Sequence, residues 1–275
     1  ADPKRIISVS DGMIESMMAH FGLIDRLVAL GSSCLQRDFN YEIPGEGRYI
    51  VYSKGMNPVR LLYPQTAALP LVARSGLPLQ LETIISLQPD LVILREGCCT
   101  LPNLDDPKSK QALATLTSVG IPIVVLKGTT QFDPPDLKML YKEIALLGKI
   151  FGQELKASEL SRFLEENINM ISQRTEQSAN YVEKPSLLYL GLSPKAREGG
   201  SAGITKGKDT IEGYIIENII HARNAYQGFG GRISSLLLNT EQVLAINPDI
   251  IVLPTSSGYH PPEELYEAPY YANLQ

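Results

Sequence analysis

The chain has 275 residues, of which 44% are hydrophobic and 20% charged; this excludes a disordered polypeptide and allows one large domain or two lobes. With a net charge of −5 and a pI of about 5.4, it lacks the overall basic charge of a typical nucleic-acid binder. No apolar run reaches the ~18–20 residues that span a bilayer, and Cys34, Cys98 and Cys99 form neither a disulfide framework nor a CxxC zinc motif. The opening Ala1-Asp2-Pro3-Lys4 has no apolar signal core, as expected of a mature start or of a chain given without its leader.

Arg5–Val9 reads as a strand, broken by Ser10-Asp11-Gly12. A helix follows over Met13–Phe21, with Asp11 placed to cap it and Gly22 to end it. Leu27–Leu30 is a second short strand. Residues 32–80, rich in Pro, Gly and Tyr, show little periodicity and read as loop with short elements. Leu81–Leu87 then predicts a helix, Leu91–Leu94 a buried strand, Lys108–Val119 a helix and Ile121–Leu126 a strand. That alternation predicts a parallel sheet covered by helices. Asp136–Phe151 and Leu155–Thr175 carry helical spacing with no strand between them, which predicts a stiff helical strut between two α/β halves. The rhythm resumes with a strand at Ser186–Leu190, helices at Thr210–Ile220 and Thr240–Ile246, and a strand at Ile250–Leu253.

Residues 81–94 and 240–253 align without a gap. Glu82 matches Glu241, Pro89 matches Pro248 and Asp90 matches Asp249. Each copy is a helix, a Pro-Asp turn that halts it, and a buried strand. Two copies imply two lobes of one design. The expected architecture is α/β, two lobes each with a parallel sheet flanked by helices, joined by a long rigid interlobe helix. Its boundaries are 1–151 for the N-terminal lobe, 152–180 for the helix and 181–275 for the C-terminal lobe.

These residues resemble a family. The Glu-x-x-x-x-x-x-Pro-Asp unit followed by an apolar strand is similar to the signature of class III periplasmic substrate-binding proteins, which serve ABC importers of iron–siderophores, haem, vitamin B12 and related chelates. Arg5-Ile6-Ile7-Ser8 through Leu30, Ile211–Asn224 and the long helix near 153–178 resemble further parts of that family. The resemblance implies an extracytoplasmic solute-binding component that captures a metal chelate, an iron–siderophore first, with haem, a corrinoid or an oxyanion such as molybdate also fitting. It implies ABC permease transmembrane subunits as partners, through Glu82 and Glu241, one per lobe. A monomer, periplasmic or extracellular and lipid-anchored through a leader, is expected, with no cofactor, catalysis or nucleic-acid partner. Family members continue past a segment like Tyr270–Leu274 into a further strand and terminal helices, so 181–275 reads as a truncated lobe.

Topology indicates the ligand site. Ligands of open parallel sheets lie beyond the carboxyl ends of the strands, and two such lobes would line one cleft with those loops. Arg95, Lys127, Arg197 and Arg232 offer cations for an anionic chelate. Tyr63, Tyr259 and His260 offer contacts to an organic scaffold. With His20, His221 and His260 as the whole histidine complement, and two of them expected on helices, a bare-metal site is not predicted. The same first-turn position gives Glu82 and Glu241 a plainer role with the helix dipole. The alternative is an α/β hydrolase-like or nucleotide-using enzyme. Gly199-Gly200-Ser201-Ala202-Gly203 matches GxSxG, which demands Ser201 on a tight strand-to-helix turn. Gly203–Lys208 is one residue short of a P-loop, and Asp209 stands where Ser or Thr is needed.

Overall fold

The structure, a computed structural model, describes residues 2–32, 35–36, 39–44, 47–55, 57–73, 78–96, 104–132, 134–179, 183–191, 201–227 and 235–254. It divides into two units. Unit 1 comprises Ala1–Arg37, Asn57–Phe132 and Asp136–Phe163; unit 2 comprises Asp38–Met56, Asp133–Pro135 and Leu164–Gln275. Segment 38–56, which the sequence boundaries put in the N-terminal lobe, groups with unit 2, and the long helix is shared by both units.

Unit 1 opens with β1 (Ile6–Val9), whose side chains are all buried. The turn Ser10-Asp11-Gly12 leads into α1 (Met13–Phe21), and Gly22 at φ 75° closes that helix. Next comes β2 (Leu27–Leu30). The following strands, β3 (Phe39–Pro44) and β4 (Tyr49–Gly55), belong to unit 2. Unit 1 continues with α2 (Pro58–Leu62), α3 (Leu81–Ser86), β5 (Leu91–Glu96), α4 (Pro107–Ser118), β6 (Ile123–Lys127) and α5 (Lys138–Phe151). Asp106 caps α4 by accepting from the N–H groups of Lys108 (2.9 Å) and Ser109 (3.1 Å), with Pro107 in its first turn. The 26-residue α6 (Glu154–Ala179) starts in unit 1. A Cβ on Gly148 of α5 would stand 2.5 Å from that of Ala157, so these helices approach through two small residues.

The strands form one parallel sheet in the order β2-β1-β5-β6. Ile7, Val9, Val92 and Leu94 pack with Ile84 of α3 and Leu116 of α4 in the core. β5 is buried at every position because it is central and covered by helices. It runs two residues further than the sequence predicts, since Arg95 and Glu96 still pair with Leu126 and Lys127.

Unit 2 contains β7 (Ser186–Tyr189), β8 (Gly203–Lys206), α7 (Ile211–Tyr214), β9 (Arg223–Asn224), β10 (Ser235–Leu238), α8 (Thr240–Ile246) and β11 (Ile250–Val252). The order β11-β7-β9 makes a parallel sheet; β8/β10 and β3/β4 are antiparallel pairs. α7 passes into a π turn over Ile215–Ile219, where Ile220 N–H reaches the Ile215 carbonyl at 2.9 Å. Periodicity alone predicted an uninterrupted helix there. Strands β3, β4, β8, β9 and β10 were not predicted. β11 departs from the buried strand that the repeat predicts: Ile250 and Val252 are 44% and 40% exposed, and β7 is its one strand neighbour among the described residues.

The two Pro-Asp units agree closely. Gln88 (φ 46°) and Asn247 (φ 47°) both take the left-handed conformation just before the proline. Asp90 then accepts from the backbone N–H groups of Lys4 (2.8 Å) and Arg5 (2.9 Å). Asp249 accepts from the N–H (2.7 Å) and hydroxyl (2.6 Å) of Ser186. Each aspartate thus fastens the first strand of its unit's parallel sheet at that strand's amino end. The bonds from Lys4 and Arg5 hold the Asp90 carboxyl below the usual range, and those from the Ser186 hydroxyl and N–H do so for Asp249. A depressed carboxyl contributes stability above its unfolded pKa of about 4 and loses it as pH falls through the folded value. Asp90→Ala and Asp249→Ala are each expected to lower the thermal midpoint by a few degrees at neutral pH. The gap to wild type should narrow on acidification, as followed by circular dichroism.

Candidate functional site

The carboxyl end of the unit 1 sheet collects most of that unit's buried polar side chains. Ser8 and Ser10, at and just beyond the end of β1, are completely buried, as is Glu15 on α1. Both hydroxyls donate to the Glu15 carboxyl, and Ser10 Oγ accepts from the Gly12 N–H at 3.0 Å. Burial pushes the Glu15 carboxyl up, against the hydrogen bonds from Ser10 and Ser8, and the Asp11 charge adds to the rise.

Arg95 occupies the next strand end, with its side chain 9% exposed. Its Nε and Nη2 donate to the two oxygens of Glu143 on α5, at 2.8 and 2.9 Å. Its Nη1 donates to Asp11 at 2.7 Å. Burial opposes the arginine's charge, but the Glu143 bonds and the Asp11 field more than offset it and raise its pKa. Its neighbour Glu96 is also buried and accepts from the Leu104 N–H at 2.8 Å. Beyond β6, Gly128 lies directly against the arginine: a Cβ there would stand 2.8 Å from Nη2 and 3.0 Å from Cζ.

The residues singled out by sequence fall into three groups. Arg95 and Lys127 come to adjacent strand ends; Lys127 is exposed and in register with Glu96, whereas the fork of Arg95 faces Glu143 and Asp11. Tyr63 does not join them at a strand end. It is half-buried where α2 stops, and its carbonyl accepts from the Thr66 hydroxyl at 2.8 Å. Arg197, Arg232, Tyr259 and His260 lie outside the described residues, as do the three cysteines. Glu82 and Glu241 are exposed in the first turns of α3 and α8.

Sequence reasoning missed Glu15 and Glu143, yet a signal existed. Both sit on the apolar stripe of an amphipathic helix, Glu15 among Ile14, Met18 and Phe21, and Glu143 beside Ile144, Leu147 and Phe151. A carboxylate in such a stripe needs a buried partner.

In unit 2, Asn224 is completely buried; its amide donates to the Lys206 carbonyl (3.0 Å) and accepts from the Tyr226 N–H (3.1 Å). Ser201 is buried and is followed almost at once by strand β8, where a nucleophile elbow requires a helix. His221 lies beyond the π turn, not on a helix as expected, with its Nε2 3.0 Å from Ser172 Oγ. Among the described residues, no group of three His, Cys, Asp or Glu side chains is placed to hold a metal ion, and no helix is long and apolar enough to cross a membrane.

The Glu15 geometry makes a pH-dependent prediction. A raised carboxyl contributes fully below the ordinary glutamate pKa and loses that contribution as pH rises through the folded value. Glu15→Gln removes this titration. Its stability relative to wild type, measured by denaturant unfolding at several pH values, is therefore expected to improve steadily as pH increases.

The family model of the periplasmic binding proteins matches residues 52–275. The chain is 27% identical over 171 residues to the uncharacterized ABC transporter substrate-binding lipoprotein YvrC of Bacillus subtilis, a match covering 62% of this chain and 47% of that protein. It therefore spans about half the length of this curated relative. Among solved structures it is similar to a periplasmic solute binding protein from Veillonella parvula, with TM-score 0.66 and 19% identity over 96% of this chain and 67% of that one. A periplasmic heme binding protein from Pseudomonas aeruginosa gives TM-score 0.58 and 19% identity over 98% and 79%. The periplasmic vitamin B12 binding protein BtuF of Vibrio cholerae gives 0.55 and 18% over 91% and 76%. At these identities the structural likeness establishes the shared α/β fold. The family match over most of the sequence, on that fold and with both Pro-Asp units in place, shows that the chain belongs to the class III periplasmic binding proteins.

Proposed function

We propose that the chain is the extracytoplasmic solute-binding component of an ABC importer, and that it captures a metal chelate and delivers it to the permease. An iron–siderophore is the first choice of ligand; haem, a corrinoid or an oxyanion such as molybdate are the others. Family membership supports the solute-binding role, and the similar lipoprotein supports a periplasmic or extracellular site of action. The heme-binding and vitamin B12-binding proteins with this fold support a bulky chelate. The protein acts as a monomer and performs no catalysis in this reading.

The observation that carries the reading is the equivalence of Glu82 and Glu241. Both are exposed, both stand in the first turn of the helix that leads into the Pro-Asp turn, and one belongs to each unit. Exposed carboxylates at matched positions suit encounter with two cationic patches on the permease, and they act on registry more than on raw affinity. The ligand then meets the loops beyond the strands, with Lys127 at a strand end and Tyr63 at the end of α2 from unit 1, and Arg197, Arg232, Tyr259 and His260 from the rest of the chain, as contacts.

Two experiments test this reading. Thermal-shift screening against ferric siderophores, haemin, cyanocobalamin and molybdate is expected to show one class that stabilises strongly, by about 2.7 kcal/mol at a concentration 100 times its dissociation constant. A flat response to the whole panel contradicts the chelate assignment. Glu82→Arg combined with Glu241→Arg is expected to lower the midpoint slightly, through the helix dipoles, and to leave ligand affinity unchanged while abolishing uptake in cells that rely on this protein. Normal uptake by the double variant rejects permease docking through these residues.

A further inference from the structure

Arg95 was offered by sequence as a fork for an anionic ligand. The geometry points to a different task. Three segments from separate parts of unit 1 converge on its guanidinium. The turn after β1 contributes Asp11, bound to Nη1 at 2.7 Å. Helix α5 contributes Glu143, bound to Nε and Nη2. The turn after β6 contributes Gly128, which rests on Nη2 and Cζ so closely that a Cβ would collide with them. Gly128 has φ −64°, a backbone conformation open to any residue, so its lack of a side chain serves the approach to Arg95 and not the turn. The side chain of Arg95 is 9% exposed and that of Glu143 4%, so the pair is shielded from water and its geometry is specific. A lysine ammonium in its place offers a point charge without the planar fork.

We propose that Arg95 is a positioning residue for solute capture, whose guanidinium locks the turns at 10–12 and 128–131 and helix α5 into one preassembled edge. Its meaning for capture rests on the solute-binding reading; the locking itself does not. The solute then meets turns that Arg95 holds, and the guanidinium stays with Glu143 and Asp11. Preassembly of this kind lowers the ordering cost of binding. The first turn has a second hold, in which Ser10 Oγ accepts from Gly12 N–H and donates to Glu15.

Hydrogen exchange read by mass spectrometry on the full chain, without any solute, tests the lock. Arg95→Lys removes the fork, and Gly128→Ala pushes chiefly on the guanidinium, at 2.8 and 3.0 Å, and more lightly on the Glu96 carbonyl at the last residue of β5, at 3.2 Å, with a backbone φ that alanine adopts freely. In both variants the amides of 10–14 and 128–132 are expected to exchange at least about tenfold faster, together, while those of β1 and β5 keep wild-type protection. Asp11→Asn cuts one arm and is expected to release 10–14 while sparing 128–132. Unchanged protection of both turns, or release of one turn alone in the first two variants, overturns the proposal. Loss of protection across the strands in step with the turns also overturns it, because Arg95 is then a general stabiliser of the sheet. Should Arg95→Lys not fold, Gly128→Ala carries the same decision. A failed solute screen leaves these outcomes unaffected, and a failed exchange experiment leaves solute binding standing.

Discussion

The carboxylate of Asp90 sets the register on which the unit 1 sheet depends. It takes the N–H groups of Lys4 and Arg5, and the Arg5 carbonyl in return accepts from the N–H of Asp90 at 2.8 Å. The next pairing, Ile6 with Leu91, follows from that exchange, and Ile7, Ser8 and Val9 fall in line behind it. A slip by one residue would turn the buried side chains of β1 to the wrong face. Unit 2 repeats the device with Asp249, where the Ser186 hydroxyl both donates to the carboxylate and accepts from the Asp249 N–H at 2.9 Å. Proline ahead of each aspartate stops the helix, and the aspartate starts the sheet.

Unit 1 separates its polar groups by strand end. At the amino end, Asp90 is exposed and its work is done through backbone amides. At the carboxyl end Arg95, Glu96 and Glu15 are buried, and each is matched within the protein: Arg95 by two carboxylates, Glu96 by an amide, Glu15 by two hydroxyls. Buried polar groups are costly unless satisfied, and removing one partner leaves the other stranded. An edge built this way is stiff and specific.

Local signals made much of the fold legible. Runs such as Ile6–Val9 and Leu91–Leu94 are short, apolar and bounded by turn residues, and the helices between them carry clear periodicity. The repeat was readable because its chemistry is local, with proline, aspartate and the strand in direct succession. The β3/β4 pair was hidden among Pro, Gly and Tyr, although Tyr41-Glu42-Ile43 and Tyr49-Ile50-Val51 flank a short glycine-bearing sequence and were open to a hairpin reading. β9 is two residues long, too short for any pattern, and the π turn differs from an α-helix by one hydrogen-bond step. The site was less legible because its partners are distant in sequence. Glu143 lies 48 positions from Arg95 and Asp11 lies 84 away, so spacing could nominate the arginine but could not say what it would face.

Glu15 has a thermodynamic corollary. Between the ordinary pKa of a glutamate and the raised value of this one, the unfolded chain holds an ionised carboxylate and the folded chain a protonated acid. Folding in that interval draws a hydrogen ion from the surrounding buffer. The heat of unfolding then includes the ionisation enthalpy of the buffer itself. Calorimetry in two buffers of different ionisation enthalpy, both holding the pH inside that interval, would accordingly return different apparent enthalpies for one and the same conformational transition.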